Sequence, residues 1–112
     1  MDGLDMCLAD ITLDDNYFFD YKIISTHYEK FDNQTIHLIK KTINNNIYLD
    51  ELNQHLGKKY LDIVIQYFSI NDMDLISMHG QTVSHIDKIK SIQAGNPKFL
   101  YNKFKVPIIY NF

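Results

Sequence analysis

The chain has 112 residues, with 11 lysines and no arginine set against 14 acidic side chains. That length holds one domain with a modest core. The slightly negative balance, without a clustered basic face, points away from nucleic acid, whose binding needs several cations to displace counterions. A single cysteine, Cys7, excludes a disulfide framework or a thiolate metal cluster and reads as a buried, reduced thiol.

From the N-terminus, Leu4 to Leu13 and Tyr17 to Phe31 are rich in apolar and β-favouring residues, and Asp14-Asp-Asn16 supplies turn formers between them. Two antiparallel strands follow. In the second, Phe19, Tyr21 and Ile23 alternate with Asp20 and Lys22, one face for the core and one for water, while Ile24 and Tyr28 point to partial cover on both faces. Asp32 then caps a helix, and Phe31 staples onto Ile36. Ile36, Ile39 and Ile43 form its apolar stripe. Asn44-Asn-Asn46 ends it, because asparagine competes for backbone hydrogen bonds and tolerates left-handed conformations.

A longer helix spans about Leu49 to Ser69, with Leu49, Leu52, Leu56, Tyr60, Ile63, Val64 and Tyr67 at three- and four-residue spacing. Gly57 inside it costs about 1 kcal/mol relative to alanine. Leu75 to Met78 is uninterruptedly apolar apart from Ser77 and suits the buried centre of a sheet. Pro97 to Lys105 reads as a short helix with Pro97 at its first position, and Val106 to Phe112 as a further buried strand. The order of hairpin, helices, strand, helix and strand is an α/β layer architecture in a single domain, 1–112.

The polar residues cluster where strands end. His79-Gly80-Gln81-Thr82 follows the strand at Leu75, the usual place for ligand groups in an α/β fold. Gln81 offers donors and an acceptor, Thr82 a hydroxyl and His79 a ring, while Gly80 admits a close approach, a set that suits a polyhydroxyl ligand. The plainer reading is a strand end tied down by local hydrogen bonds. Gln93-Ala-Gly-Asn-Pro97 is a turn in which Asn96 serves equally as a helix cap. Read bare, Asp2 to Asp5 is a flexible, solvated terminus. His79 and His85 are too far apart on a loop to be taken as a metal pair, and no zinc spacing, nucleophile elbow, Walker loop or dinucleotide fingerprint is present.

Asp74-Leu-Ile-Ser-Met-His-Gly-Gln-Thr-Val-Ser-His85, Ser91-Ile-Gln-Ala-Gly-Asn-Pro97 and Val106-Pro-Ile-Ile-Tyr-Asn-Phe112 come in the order of three blocks in the N-terminal part of the anhydro-N-acetylmuramic acid kinases, which this chain resembles. That family carries an apolar strand ending in His-Gly-Gln-Thr, a Gln-x-Gly-Asp/Asn-Pro turn, a helix, and a strand closed by Asp-Phe-Arg. Met1-Asp-Gly-Leu-Asp5 is similar to the end of its phosphate loop. The resemblance covers nearly all of this chain and about the first third of a typical member.

The resemblance implies an ATP-dependent carbohydrate kinase. Its reaction opens the 1,6-anhydro ring and phosphorylates the sugar to N-acetylmuramic acid 6-phosphate in peptidoglycan recycling. It implies ATP and Mg²⁺ as cofactors, Asp2, Gly3 and Asp5 near the nucleotide, His79, Gly80, Gln81 and Thr82 on the sugar, and Gln93 and Asn96 as further sugar contacts. The implied fold is the ribonuclease H-like half-domain of the actin, hexokinase and Hsp70 superfamily, a mixed sheet with helices. In that fold the first strand lies between the second and the later parallel ones, and this sequence starts at strand two, so an incomplete sheet with two unpaired edges is expected.

Asn111 replaces the family's aspartate, and the family's general base lies in the segment beyond Phe112, so no catalytic residue is named. The expectation is a truncated N-terminal kinase-lobe domain, inactive alone. The alternative is a non-catalytic remnant or interaction domain that pairs with a separately encoded C-terminal part. The acidic N-terminus has no basic region followed by an apolar run, and no apolar stretch approaches the ~20 residues of a membrane span, so a cytoplasmic location without a membrane partner is expected.

Overall fold

In the computed structural model, which describes residues 2–86 and 90–111, three helices pack against three separate two-stranded sheets, a mixed α/β arrangement. Met1 of the loop-like start and Phe112 of the last strand lie outside the described residues. Strands β1 (Gly3–Leu13) and β2 (Phe19–Lys30) form the expected antiparallel hairpin. Its loop is closed by the Asp14 carboxylate, which accepts from the N–H groups of Asn16 and Phe18 at 2.9 and 2.8 Å. Tyr17 takes a left-handed φ of 61°, which delays β2 to Phe19.

The face assignment of β2 is corrected. Leu8 pairs with Ser25 and Ala9 with Ile23, leaving Ile24 as the extra residue of a bulge. On β1 the apolar phase slips at the same place: Leu4, Met6 and Leu8 lie on one face, Ile11 and Leu13 on the other. Leu4 and Met6 pack on the core, whereas Ile11 and Tyr21, paired beyond the bulge, are 60% and 61% exposed. Phe19, Ile23 and Ile24 are exposed as well, since the distal hairpin extends past the helices that cover its base, and Tyr28, opposite Asp5 at the base, is exposed on the face away from Leu4 and Met6. Cys7 is exposed rather than buried, being on the face opposite Leu4 and Met6.

Helix α1 (Asn33–Asn44) starts as expected: the Asp32 carboxylate accepts from the Thr35 N–H at 2.8 Å, and Phe31 and Ile36 join the core. Its buried stripe is Thr35, Leu38, Ile39 and Thr42, while Ile43 is 52% exposed. This stripe runs one position N-terminal to the isoleucine pattern, and its buried hydroxyls are satisfied. Thr42 Oγ1 donates to the Leu38 carbonyl, and Thr35 Oγ1 bonds His55 Nε2, both at 2.8 Å. Asn45 ends the helix in an extended conformation, φ −154°, not the left-handed one, and its side chain accepts from Ile47 N–H to start a 3₁₀ turn, Asn46–Tyr48.

Helix α2 (Leu49–Tyr67) buries Leu52, Leu56, Tyr60 and Ile63 on its expected stripe. The short strand β3 (Ile76–Ser77) pairs in parallel with β6 (Ile108–Ile109). Neither is a buried central strand: β3 and β6 pair only with each other among the described residues, and Leu75, Ile109 and Tyr110 are exposed. Between them lies a hairpin not anticipated from the sequence, β4 (Gln81–Ile86) and β5 (Lys90–Ala94), followed by α3 (Lys98–Phe104). Pro97 sits at the cap position with helical dihedrals, one residue ahead of its expected place. None of the described helices is long and apolar enough to cross a membrane.

Candidate functional site

The residues His79 to Thr82 do not form a free loop. Gln81 and Thr82 open β4 and pair with Ala94 and Gln93 at the end of β5. This brings together two segments read separately in the sequence. The Gln93 side chain bonds His79 Nε2 through its Nε2 at 2.8 Å and accepts from the Gly80 N–H through its Oε1 at 3.3 Å. Gly80 is required by close approach, because a Cβ there would lie 2.6 Å from the Ala94 carbonyl oxygen. Gln93 thus holds the exposed His79 ring in a fixed orientation against the start of β4.

Gln81 turns inward. It is only 8% exposed, its Nε2 donates to the Thr82 carbonyl at 2.9 Å, and its Oε1 is buried without a hydrogen-bond partner. Tyr60 Oη is buried close to the Gln81 backbone amide without a hydrogen bond of good geometry, and burial pushes its pKa up to about 12. Two polar atoms of the same neighbourhood therefore lack the partners that buried groups ordinarily have.

The Gly95-Asn96 turn is held by residues that the sequence reading did not single out. Gly95 N–H donates to Asn53 Oδ1 at 2.9 Å and Asn96 N–H to the Asn53 carbonyl at 3.0 Å. Asn96 Oδ1 accepts from Lys98 N–H at 3.0 Å, the cap-like role, and its Nδ2 reaches Gln54 Oε1 at 3.4 Å. Gly57 lets this turn touch α2, and Gly95, at φ 130°, lies against the Tyr60 ring. A glycine inside an otherwise strong helix was the available signal for this contact. Asn96 faces α2 and α3 and is not joined to the Gln93–His79 pair by any of these bonds.

Gly3 and Asp5 lie at the start of β1, and Asp2 just before it is tied to the end of β2 rather than standing in a phosphate-binding loop. The Asp2 carbonyl accepts from Phe31 N–H at 2.8 Å and its carboxylate from Tyr28 Oη at 3.1 Å. Desolvation, and after it the hydrogen bond to the Asp2 carboxylate and that carboxylate's negative charge, raise the Tyr28 pKa. Gly3 is buried against Tyr28. An extended strand without hydroxyl side chains does not curl its amides around a phosphate, so these three residues alone do not fit a nucleotide cradle. Among the described residues no group of three His, Cys, Asp or Glu side chains is placed to hold a metal ion.

Asp5 and His79 nevertheless border the same cavity. It has a volume of about 500 Å³ and runs between residues 4–8 of β1 and residues 75–79, with Tyr60 and Val64 of α2, Phe68 just after that helix and Leu100 of α3 completing a mostly apolar lining. Two smaller hollows, beside Cys7 and Thr26 and beside Lys59 and Phe99, are open surface depressions. Compared with models of known protein families and with curated proteins, the chain matches none.

Proposed function

We propose that this chain forms sugar-binding structure of a carbohydrate kinase similar to the anhydro-N-acetylmuramic acid kinases, within the ribonuclease H-like superfamily. The observation that carries the reading is the meeting of His79, Gly80 and Gln93, which come from two separate blocks of the sequence resemblance, in one hydrogen-bonded cluster at the end of a cleft. An imidazole and a carboxamide held against each other recognise hydroxyl groups by offering hydrogen-bonding atoms at fixed spacing. Thr82, adjacent in β4, adds a hydroxyl to the same hairpin end. In this reading Gln81 supports the site from beneath, and Asn96 shapes the turn rather than touching sugar.

Phosphoryl transfer needs positioning and charge neutralisation by Mg²⁺ and cations. ATP and Mg²⁺ are the cofactors of the proposed reaction, and the N-terminal residues described here do not suffice to hold them. In this proposal the chain does not transfer phosphate by itself, because Asp2, Gly3 and Asp5 form no nucleotide cradle. The direct test is titration of the purified chain with 1,6-anhydro-N-acetylmuramic acid, following the His79 ring protons by NMR. A saturable shift that is lost in Gln93→Ala is expected. No shift at about 10 mM sugar, weaker than the affinity range of useful substrate sites, refutes the reading. Release of phosphorylated sugar by the chain with Mg-ATP refutes the inactivity.

A further inference from the structure

The β1–β2 hairpin is amphipathic twice, toward opposite sides. In its first half the side that carries Leu4 and Met6 packs on the core, and β2 follows suit: His27 stacks on the Tyr67 ring of α2 at 4.4 Å, and Glu29 accepts from the Tyr67 hydroxyl at 2.6 Å. Past the bulge at Ile24 the pattern inverts in both strands. Ile11 pairs with Tyr21, Leu13 with Phe19 and Ala9 with Ile23, all on the side away from the helices, and the Phe19 and Tyr21 rings stack there at 5.9 Å. The helix side of the same stretch carries the pairs Asp10–Lys22 and Thr12–Asp20, which suit water. Alternation of this kind in two paired strands is the pattern of a ribbon with one face buried. Ile11, Leu13, Phe19, Tyr21 and Ile23 are nevertheless 49–66% exposed, and among the described residues no element covers them.

We propose that this outer face of the distal hairpin is a dimerisation surface, covered by the same face of a second copy of the chain. With about half or more of each large side chain still open, these five together offer roughly 500 Å² per chain. That is at the upper end of what monomers leave bare, and with the adjoining tip residues Tyr17 and Phe18, also exposed, it approaches the ~800 Å² per partner of a standard interface. The patch holds no charged side chain, so two chains of net charge −3 meet there without setting like charges against each other. A second copy also supplies a ribbon of the same twist, and two such ribbons stack face to face at about 10 Å and roughly 30°, each patch on its own counterpart. A lipid surface fits less well. Asp10, Asp14, Asp15 and Asp20 surround the patch against Lys22 alone, and anionic headgroups repel that balance. The inference does not depend on the sugar reading, since none of these side chains lines the cavity that His79 borders.

Sedimentation equilibrium of the purified chain from about 10 µM to about 500 µM, a range that detects weak complexes, tests this directly. A monomer–dimer equilibrium is expected. Ile11→Lys and Tyr21→Lys, both on the outer face, raise its dissociation constant by about tenfold or more, because each dimer then buries two unpaired ammonium groups. Thr12→Lys is the control: it makes the same change of net charge on the same ribbon, one residue along and facing the other way, and shifts the constant by less than about threefold. All three sites are exposed, so the circular dichroism spectra stay unchanged. A chain that is monomeric throughout the range overturns the proposal. So does a dimer that Ile11→Lys and Tyr21→Lys leave intact, or that Thr12→Lys weakens as much as they do. Co-sedimentation of a monomeric chain with phosphatidylcholine vesicles, lost in Ile11→Lys, assigns the face to lipid and overturns it as well.

Discussion

Replacing Gly57 by alanine sets two effects of opposite sign against each other. In an exposed helix interior the change gains about 1 kcal/mol. In α2 the position is buried, and a Cβ would lie 2.5 Å from the Asn96 carbonyl oxygen and 2.9 Å from its nitrogen. Both are backbone atoms, so no side-chain rotation relieves the clash. Ordinary contact begins near 3.5 Å, so the 95–96 turn has to retreat by roughly 1 Å. That turn is held by Gly95 N–H to Asn53 Oδ1 at 2.9 Å and Asn96 N–H to Asn53 O at 3.0 Å. A retreat of that size stretches both bonds beyond hydrogen-bonding range.

Losing two such bonds costs about 1 kcal/mol each, and overpacking of this kind costs ~1–3 kcal/mol in total. After the propensity gain, a net loss of about 1 kcal/mol remains, and about 2 kcal/mol at the upper end. For a domain near this size each kcal/mol moves Tm by about 4–8 °C, so Tm falls by roughly 5–15 °C. Thermal and urea unfolding of Gly57→Ala, beside the exposed control Lys58→Ala, measures the difference, with faster amide exchange at Gly95 and Asn96 as its local signature. A Gly57→Ala chain at least as stable as the parent refutes the close approach and everything drawn from it.

At the start of α1, Asp32→Ala removes both the cap and the 2.8 Å pair with Lys59 and costs about 1–2 kcal/mol, whereas Asp32→Asn keeps the cap and costs under ~1 kcal/mol for a half-exposed pair. The Lys59 ammonium, then the Thr35 hydrogen bonds, hold the Asp32 carboxyl well below the usual range. Because the folded pKa is depressed, this stabilisation is present above the unfolded value near ~3.9 and is lost as pH falls further, so the Tm gap between parent and Asp32→Asn narrows below about pH 4. A gap that widens in acid contradicts the sign. Tyr60→Phe deletes a buried hydroxyl without a good partner and leaves stability within about 1 kcal/mol of the parent or above it. A loss beyond ~2 kcal/mol in urea unfolding shows that the hydroxyl is bonded after all.

Local physics made much of this molecule readable. The hairpin, the Asp32 cap, the Phe31 staple and the α2 stripe follow from turn formers, capping chemistry and apolar periodicity, all of which act over a few residues. The phase slip of β1, from Leu4, Met6 and Leu8 to Ile11 and Leu13, was also present in the sequence and encodes the bulge. Burial was less legible. Thr35 and Thr42 are buried and Ile43 is not, and this is tolerated because Thr35 reaches His55 of α2 while Thr42 satisfies its hydroxyl within α1 at the Leu38 carbonyl.

The sequence by itself determined element type wherever chemistry repeats within a turn or a pleat, and it placed the polar residues of the candidate site at strand ends. Only the tertiary structure decided that Gln93 orients His79, that Gly57 admits the Asn96 turn, and that Cys7 and the distal hairpin face outward. It also decided that β1 and β3, which belong to separate sheets, border one mostly apolar cleft. These are contacts between residues far apart in the chain, and spacing along a sequence carries no information about which distant surfaces close on each other and which remain open.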